Sequence, residues 1–324
     1  MSGLVAIANE YPVELSPPDI AAYRVGTDGV EYVHTFRAGA PGPHVAVSAV
    51  VHGNEPCGAI VLDAMLSAGV RPVRGALSFV FANVAAYEAF DPANPNASRW
   101  VDEDMNRVWS DATLSGERQS VELRRARALR PFLDTVDLLL DIHSMQHPTK
   151  ALMLAGPVAK GTALARDVGV PAEIIVDAGH AAGPRMRDYG PFIDPASEKN
   201  ALLVECGQHW AASTGTMAME TTVRFLRATG AVAPDFWADR AGPAPAAQRV
   251  IEVTDRVTIE TDAFSFVEPF RGFEIIETAG TLLARDGARN VVTPYDECVL
   301  IMPSKRLWPG QTAVRLGRFI DRGV

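Results

Sequence analysis

Apolar and polar positions divide the first two-thirds of the chain into alternating strand-like and helix-like stretches. Short continuous apolar runs are typical of strands that are covered on both faces, and they occur at residues 45–51, 77–82, 138–142, 151–154, 173–176 and 201–204. Between them the pattern predicts helices at residues 59–68, 117–129 and 211–228, with Pro131 ending or kinking the second. This alternation predicts an α/β sandwich.

The composition of the chain changes between residues 230 and 248. This stretch contains many alanines together with Pro234, Pro243 and Pro245, which is typical of a domain boundary. Beyond it, short apolar runs between glycine and proline turns predict strands and no helix, at residues 249–259, 263–266, 273–277, 291–292, 297–302 and 313–316. The sequence therefore predicts one domain at residues 1–235 and a smaller all-β domain at residues 248–324.

Charge and composition narrow the functional classes. The 324 residues are 48% hydrophobic, which is enough for a full core, and 30 basic against 39 acidic residues give a formal charge of -9. An acidic chain does not attract phosphate backbones, and no apolar stretch reaches the length of a membrane helix. Residues 1–12 lack the basic start of a signal peptide, and three distant cysteines do not form a disulfide framework. We expect a cytoplasmic protein that binds neither nucleic acid nor membranes, and a homo-oligomer stays open.

The candidate chemistry begins where the first apolar run ends. His52 and Glu55 lie three residues apart around Gly53, which permits a sharp turn, so both side chains can hold one metal ion. A catalytic zinc site needs a third protein ligand and an open position, and His143, in the run 137–144, is the candidate. Taken alone, a solvated loop pair explains His52 and Glu55 about as well. Their place at carboxyl ends of predicted strands favours zinc.

Two further clusters contain polar side chains suited to catalysis. In segment 99–107, Arg107 can clamp a carboxylate through two parallel hydrogen bonds. Asn106 can supply an amide donor beside it, and Arg99 can hold a developing oxyanion. The alternative is a polar loop with a solvated Arg–Asp network. Glu205 ends the run 201–204, where an unpaired carboxylate is unfavourable; a general base fits this position, and a strand-end salt bridge is the alternative.

The order and spacing of these motifs resemble the aspartoacylase and succinylglutamate desuccinylase family, which belongs to the zinc carboxypeptidase-like amidohydrolases. The resemblance covers about residues 45–210 and rests on four motifs: His52-Gly-Asn-Glu55, Asp104-Met-Asn-Arg107, Asp141-Ile-His143 and Val204-Glu205. It implies a mixed-sheet α/β/α sandwich as the zinc-dependent catalytic domain. It also implies that the smaller C-terminal all-β domain lies near the mouth of the active site and favours small substrates over polypeptides.

The resemblance implies a role for each metal-site residue. One zinc ion per chain is bound by His52, Glu55 and His143, and Glu205 acts as general base and general acid. Asp141 matches an acid that orients a zinc-bound imidazole, and such partners tune metal affinity. The implied reaction is hydrolysis of the amide bond of a small N-acyl amino acid or related N-acyl amine by metal-activated water.

The resemblance also implies the contacts to substrate. Arg99 matches the arginine that polarises the scissile carbonyl, and Asn106 and Arg107 match the pair that holds the substrate carboxylate. Two other functions stay open: a zinc carboxypeptidase acting on short peptides, and a non-catalytic carboxylate-binding module with a structural zinc. Offering blocked dipeptides beside N-acetyl amino acids separates the carboxypeptidase from the deacylase. Metal analysis combined with a screen for amide cleavage separates the binding module from both.

One position departs from the family pattern. Aspartoacylases have an arginine ten residues before the catalytic glutamate, where it grips the side-chain carboxylate of the substrate, and this chain has Pro195 there. The loop 179–189 offers Arg185, Arg187 and Tyr189 as replacements, and of these we predict Arg187 and Tyr189 as substrate-binding residues. The alternative is that this segment is a plain surface loop. Strict aspartoacylase activity is therefore not expected.

Overall fold

The structure is a computed structural model that describes residues 10–180, 182–243 and 246–323. Of the positions used in the sequence predictions, residues 1–9, Ala181, Ala244, Pro245 and Val324 lie outside the described residues. Among the residues that are described, no helix has both the length and the apolar character needed to cross a membrane.

In the first part of the described chain, strands alternate with helices as predicted. In the second part, strands follow one another without α-helices between them. Their bounds are β1 Val33–Arg37, β2 His44–Ala49, β3 Ala76–Phe81, β4 Leu138–Met145, β5 Leu152–Leu154, β6 Glu173–Val176, β7 Asn200–Gln208, β8 Arg249–Thr258, β9 Phe264–Phe266, β10 Ile275–Ile276, β11 Leu282–Asp286, β12 Arg289–Val292, β13 Cys298–Ile301 and β14 Thr312–Asp321. The α-helices are α1 Cys57–Ser67, α2 Val84–Glu88, α3 Asp111–Ser115, α4 Val121–Leu133, α5 Ala159–Val168 and α6 Ala212–Ala228.

The fold is mixed α/β with one large mixed sheet and one small antiparallel sheet. The large sheet has eleven strands in the order β1-β3-β2-β4-β7-β5-β6-β8-β14-β13-β10, and the small sheet has the order β12-β11-β9. Strands β3, β2, β4 and β7 are parallel to their neighbours in this group. Their carboxyl ends therefore meet at one edge of the sheet, where open α/β sheets bind ligands.

Helices cover the parallel strands on both faces, which explains the continuous apolar runs. In β2, Val45, Val47 and Ala49 belong to one hydrophobic cluster, whereas Ala46 belongs to another on the opposite face. The first cluster includes the buried sides of α1, α5 and α6, and the second includes that of α4. Each fully buried aliphatic side chain contributes about 1.5–3 kcal/mol to folding, so the sandwich rigidly positions the strand ends.

The C-terminal strands extend the central sheet. Strand β8 pairs in parallel with β6, and β14 then pairs antiparallel with β8. The described residues of 248–323 contain strands and no α-helix, as the turn-rich pattern predicts. The division into domains at 1–235 and 248–324 stays a prediction, because hydrogen bonds between β6 and β8 cross the boundary within one sheet.

Several local predictions were wrong. Strands β4 and β7 continue past Ile142 and Val204, so His143 and Glu205 lie within strands and not just beyond them. Helix α4 extends two residues past Pro131, so this proline does not end the helix. The pattern also did not predict strands β1 and β11, which are five residues long, or helix α5, which has a glycine in its first turn. The greater length of β4 and β7 is the most important difference for the candidate site, because it places His143 and Glu205 on rigid strand backbone.

Candidate active site

Three neighbouring strands position the predicted catalytic side chains. His52 and Glu55 follow β2, His143 lies in β4, and Glu205 lies in β7. In the parallel pair β4–β7, His143 is the register partner of Glu205, so both side chains project from the same face. Asp141, two residues before His143 in the same strand, also lies on this face. The order of strands in the sheet thus brings together residues that are far apart in sequence.

The turn after β2 is built around a glycine on which other backbone segments pack closely. The amide of Gly53 donates a hydrogen bond to the carbonyl of Arg99 at 3.1 Å. A Cβ atom on Gly53 would lie 2.2 Å from the carbonyl carbon of Ala86 and 2.4 Å from the carbonyl oxygen of Ser98. The backbone of two other segments therefore packs directly on Gly53, and this packing fixes the directions of His52 and Glu55.

The ligand atoms of His52, Glu55 and His143 converge in a buried cluster. Nδ1 of His52 lies 2.8 Å from Oε1 of Glu55, and Nδ1 of His143 lies 3.0 Å from Oε2. All the ligand atoms lie within 4.8 Å of one another. On the far sides of the rings, Nε2 of His52 is 2.9 Å from Asp104 and Nε2 of His143 is 2.9 Å from Asp141. Each Nε2 therefore faces a carboxylate on the side of the ring away from Glu55, and Nη2 of Arg99 also lies 2.9 Å from Nε2 of His52.

This geometry fits a zinc ion. The Nδ1 atoms of both imidazoles face the carboxylate of Glu55, so two nitrogens and one carboxylate can hold one cation among them. Two imidazole nitrogens and one carboxylate are a known ligand set of catalytic zinc sites, which leave a further position open. Asp141 takes the orienting position that the resemblance implies, and Asp104 does the same for His52.

Electrostatics favour the same conclusion. Burial by itself raises the pKa of Glu55, but the charges of His52 and His143 hold that pKa well below its ordinary value. Burial likewise lowers the pKa of His143, yet Asp141 and Glu55 raise it well above the ordinary value. Three carboxylates, including Asp104, thus surround two imidazoles and attract positive charge, and a divalent cation neutralises this site without protonating the rings.

Glu205 faces the cluster as a carboxylate with a free oxygen. The residue is 7% exposed, and its Oε2 has no hydrogen-bond partner among the described residues. Burial, together with the negative charge of Glu55, raises the pKa of Glu205 to about 8. A carboxyl group with this pKa can take up and return a proton near neutral pH.

The segment that follows α2 is fixed by one buried carboxylate at the start of α4. Glu122 is fully buried and accepts hydrogen bonds from the backbone N–H groups of three consecutive residues, Val101, Asp102 and Glu103. The side-chain amide of Asn83 donates a further hydrogen bond to it at 3.2 Å. A buried carboxylate needs several donors of this kind. Glu122 therefore holds the backbone next to Arg99 in one conformation.

Arg99 reaches from this segment into the ligand cluster. Its Nη1 donates to Oε1 of Glu55 at 3.0 Å, and its Nη2 lies 3.4 Å from Oδ2 of Asp104. The guanidinium also lies over the ring of Trp100, with 5.4 Å between Cζ and the ring centroid. Arg99 thus borders the metal site and lines the same cavity as Glu205, and its role towards a substrate carbonyl stays a prediction.

Asn106 and Arg107 line the cavity beside Arg99. The side-chain oxygen of Asn106 accepts from the backbone N–H of Met186 at 2.9 Å, which leaves the amide nitrogen for the cavity. Arg107 donates from Nη1 to its neighbour's carbonyl at 2.7 Å, and its Nη2 lies 4.0 Å from Asp104. Gly183, at φ +138, packs against the Arg107 carbonyl so closely that a Cβ would lie 2.1 Å away.

The structure does not bring Arg187 or Tyr189 to the cavity, so their predicted role in substrate binding was wrong. Arg187 is completely buried and donates to Asp188 and to the carbonyls of Ala155 and Ala201. Tyr189 donates its hydroxyl to Asp134 at 2.8 Å and accepts from Arg130. Both side chains stabilise the packing of their segment beneath the site.

Of the three residues in that loop, Arg185 lines the cavity instead. It is paired with Asp177 at 2.6 Å and with Asp188 at 3.5 Å, so its charge is already balanced. Local backbone geometry distinguishes Arg185, which lines the cavity, from Arg187, which does not. Arg185 is extended and precedes the 3-10 turn of residues 186–188, whereas Arg187 lies within that turn. The two side chains therefore leave the backbone in different local geometries.

The cavity has a volume of about 130 Å³ and also contains residues to which the sequence assigned no role. Arg306 and Arg315 come from the C-terminal segment, and His209 follows β7. Nδ1 of His209 lies 2.8 Å from the hydroxyl of Ser144, and burial lowers its pKa to about 3, so the ring is neutral. Asp104 and His209 had a sequence signal, because Asp104 belongs to the motif that ends at Arg107 and His209 lies four residues after Glu205. A cavity of this size fits a small molecule.

Comparison with known proteins agrees with this geometry. The family profile for the succinylglutamate desuccinylase/aspartoacylase catalytic domain matches residues 41–231. The succinylglutamate desuccinylase of Burkholderia orbicola is 26% identical over 294 residues, which cover 83% of this chain and 79% of the relative. The protein of the same name from Burkholderia cenocepacia is 27% identical over 293 residues with the same coverage.

Solved structures show the same fold at low sequence identity. The succinylglutamate desuccinylase of Vibrio parahaemolyticus superposes with a TM-score of 0.67 at 15% identity, covering 90% of this chain and 88% of that one. Murine aminoacylase 3 superposes with a TM-score of 0.60 at 20% identity, covering 86% and 96%. The coverage extends beyond the profile match, so the C-terminal strands are part of the shared fold.

Proposed function

The chain belongs to the succinylglutamate desuccinylase/aspartoacylase family, and on this basis we propose that it is a zinc-dependent hydrolase of a small N-acyl amino acid or related N-acyl amine. The observation that supports this most is the convergence of three buried ligand atoms beside Glu205, whose free oxygen faces the same cavity. A site that only bound carboxylates would not need an unpaired buried carboxylate at this place.

The side chains of the site divide the chemistry among them. His52, Glu55 and His143 would hold zinc, which when bound supplies a Lewis acid and lowers the pKa of a water molecule. Glu205 takes a proton from the attacking water and returns it to the departing nitrogen. The pKa of about 8 for Glu205 applies to the cluster without a cation, and a nearby positive charge lowers it towards the value of a base at neutral pH.

The remaining polar residues position the substrate. The guanidinium of Arg99 lies 3.0 Å from Glu55, close enough to the ligand cluster to stabilise negative charge that develops on the substrate carbonyl. Asn106 and Arg107 present an amide and a guanidinium to the cavity, and together they would hold the carboxylate of an amino acid. His209, which is neutral and held by Ser144, lines the wall of the cavity beside Glu205.

A metal and substrate screen tests this proposal. We expect purified protein to bind about one zinc ion per chain, to hydrolyse N-acetyl amino acids, and to lose turnover when a chelator removes the metal. Glu205→Gln should retain zinc and lose at least about 100-fold in kcat, the usual contribution of a positioned general base. Glu268→Gln, an exposed glutamate of the C-terminal segment, is the matched control and should keep full activity.

Three outcomes would contradict the proposal in different ways. Full activity of Glu205→Gln would remove the assigned base. Cleavage of blocked dipeptides in preference to N-acetyl amino acids would indicate a carboxypeptidase. Tight zinc binding without hydrolysis of any amide would indicate a binding module with a structural metal.

A further inference from the structure

The wall of the cavity contains a buried histidine with a ring nitrogen that has no partner. His209 follows β7, is 1% exposed, and lines the cavity. Its Nδ1 lies 2.8 Å from the hydroxyl oxygen of Ser144. Among residues 10–180, 182–243 and 246–323, no group hydrogen-bonds to its Nε2. A buried polar atom that has lost water and gained no partner is unfavourable, and its place in the cavity wall allows a ligand to supply that partner.

An irregularity in β7 precedes His209. Just after the register pair His143–Glu205, strand β7 has one extra residue relative to β4. Bulges of this kind re-aim the side chains that follow them, and they are frequent beside active sites. Gly207 lies in this stretch at φ +129, a conformation that glycine adopts without strain. The backbone is therefore bent where it presents His209 to the cavity.

His209 is also held rigidly in place. Its backbone N–H donates to the carbonyl of Met145 at 2.8 Å, and Ser144 holds the ring through Nδ1. The ring packs against Trp210, with 5.6 Å between the ring centroids. Trp210 in turn donates from Nε1 to the carbonyl of Asn54 at 3.1 Å. A polar group that is fixed before the ligand arrives binds it at a smaller entropic cost.

The imidazole of His209 is uncharged. Burial lowers its pKa to about 3; the charge of Glu55 opposes this shift, and the charges of Arg99 and Arg306 add to it. The hydroxyl of Ser144 can donate to Nδ1 or accept from it, so Nε2 can correspondingly donate or accept. A neutral nitrogen with this choice suits a hydroxyl or an amide group, which offers both a donor and an acceptor.

The main cavity is the space from which a substrate group can reach this ring. His209 also borders a second space beside Trp210 and Lys305, but that space has a volume of about 10 Å³. Such a volume holds at most one water molecule. The main cavity, with about 130 Å³, also contains the metal ligands and Glu205. A substrate bound for hydrolysis therefore lies in the same cavity as His209.

We propose that His209, oriented by Ser144, is a specificity-determining residue that hydrogen-bonds an uncharged hydroxyl or amide group of the substrate. This inference rests on the proposed function and deepens it. The preferred substrates are N-acyl amino acids that carry such a group on the amino acid or on the acyl chain. An analogue without the group leaves Nε2 of His209 buried and without a partner, and a site of this kind discriminates against such an analogue.

Four matched substrates and one variant test this role. N-acetylalanine is the reference; N-acetylserine adds a hydroxyl to the amino acid, N-acetylasparagine adds an amide there, and N-glycolylalanine adds a hydroxyl to the acyl group. We expect the parent protein to prefer at least one of the three polar substrates by about 10-fold in kcat/KM, the effect of one hydrogen bond. His209→Phe keeps a ring and removes both nitrogens, so it should reduce this preference to less than about threefold. The preferred substrate shows whether the group lies on the amino acid or on the acyl chain.

Further variants separate recognition from folding. His209→Gln retains an amide that can form the hydrogen bond and should keep part of the preference, and Ser144→Ala should weaken it because the ring loses its orienting partner. His34→Gln changes a histidine of the edge strand β1 and should leave the rates for all four substrates unchanged. An equal loss on all four substrates in His209→Phe would indicate a structural role and overturn the proposal. A parent protein without any preference, or a preference that persists in His209→Phe, would overturn it as well.

Binding measurements keep the role of His209 testable without turnover. By calorimetry with the zinc-loaded protein, serine and asparagine are compared with alanine, and glycolate is compared with acetate. At least one polar product should bind more tightly than its reference, and His209→Phe should remove the difference. If the parent protein hydrolyses none of the amides, the proposed function fails, and calorimetry alone then decides the role of His209. The same difference in the parent protein and in His209→Phe would overturn it, and if His209→Phe does not fold, His209→Gln and Ser144→Ala decide in its place.

Discussion

Replacing Gly53 by alanine tests whether the metal ligands depend on the close packing of their turn. The added Cβ would lie 2.2 Å from the carbonyl carbon of Ala86, 2.3 Å from its oxygen and 2.4 Å from the carbonyl oxygen of Ser98. Ordinary contacts between heavy atoms lie at about 3.5 Å or more, so each neighbour would have to move by about 1 Å. All three atoms belong to backbone, which cannot rotate away as a side chain can.

The magnitude follows from this geometry. Inserting a methyl group into a packed interior usually costs about 1–3 kcal/mol, and three backbone contacts place Gly53→Ala at about 3 kcal/mol or above. At roughly 2–4 °C per kcal/mol for a chain of this size class, the melting temperature should fall by about 6–12 °C. Because the turn would move together with His52 and Glu55, zinc affinity should also decrease.

The assay is thermal unfolding together with zinc content after equilibration at a fixed free-zinc concentration. Gly39→Ala is the matched control, since a Cβ at Gly39 meets nothing within 4 Å, and its melting temperature should change little. A Gly53→Ala variant that unfolds at the same temperature as the parent and binds zinc equally well would refute the reasoning. It would show that the neighbouring segments adapt without disturbing the ligands.

Three further predictions concern buried carboxylates. Glu122→Ala should lower the free energy of unfolding by about 3 kcal/mol in denaturant titrations, because three backbone N–H groups lose their acceptor, whereas Glu117→Ala at an exposed position should not. Burial raises the pKa of Asp177, but the charges of Arg185 and Arg315 outweigh burial and hold the pKa below its ordinary value. The Asp177 carboxylate therefore stabilises the folded protein above about pH 4, and this stabilisation is lost as the pH falls below that value. Asp177→Asn should accordingly be less stable at pH 7 and lose less stability on acidification, and an unchanged acid profile would contradict this. The pKa of Glu205 is raised instead, so the effect on stability is reversed. The metal-free protein should become less stable as the pH rises from about 5 to about 8. Denaturant titrations at these two pH values should show this loss in the parent protein and not in Glu205→Gln.

Local sequence was sufficient for the metal site. The side chains of His52 and Glu55 are linked by one short turn, and His143 and Glu205 lie at the ends of apolar runs. Parallel strands in a sheet bring their carboxyl ends together, so the sequence pattern and this rule predict that the four residues meet. The α/β fold class follows from the same alternation of apolar runs and helical stretches, and the structure confirms it.

Contacts that depend on the direction of individual side chains could not be predicted in this way. The loop 179–189 offers two arginines, and only their tertiary partners decide that Arg185 lines the cavity while Arg187 is buried. Pro195 shows that an anion contact expected from the resemblance is missing from the sequence, and nothing in the pattern points to a residue that replaces it.

The sequence by itself determined the proposed chemistry, because the candidate metal ligands and the candidate general base follow from residue type and from their place at strand ends. Only the tertiary structure decided what else surrounds that chemistry. Strand β8 adds the C-terminal segment to the edge of the central sheet, and the loop between β13 and β14 then extends to the cavity, where Arg306 packs on Trp100. The reason is physical: periodicity shows which face of an element is buried, whereas the meeting of distant loops depends on packing, which no local pattern encodes.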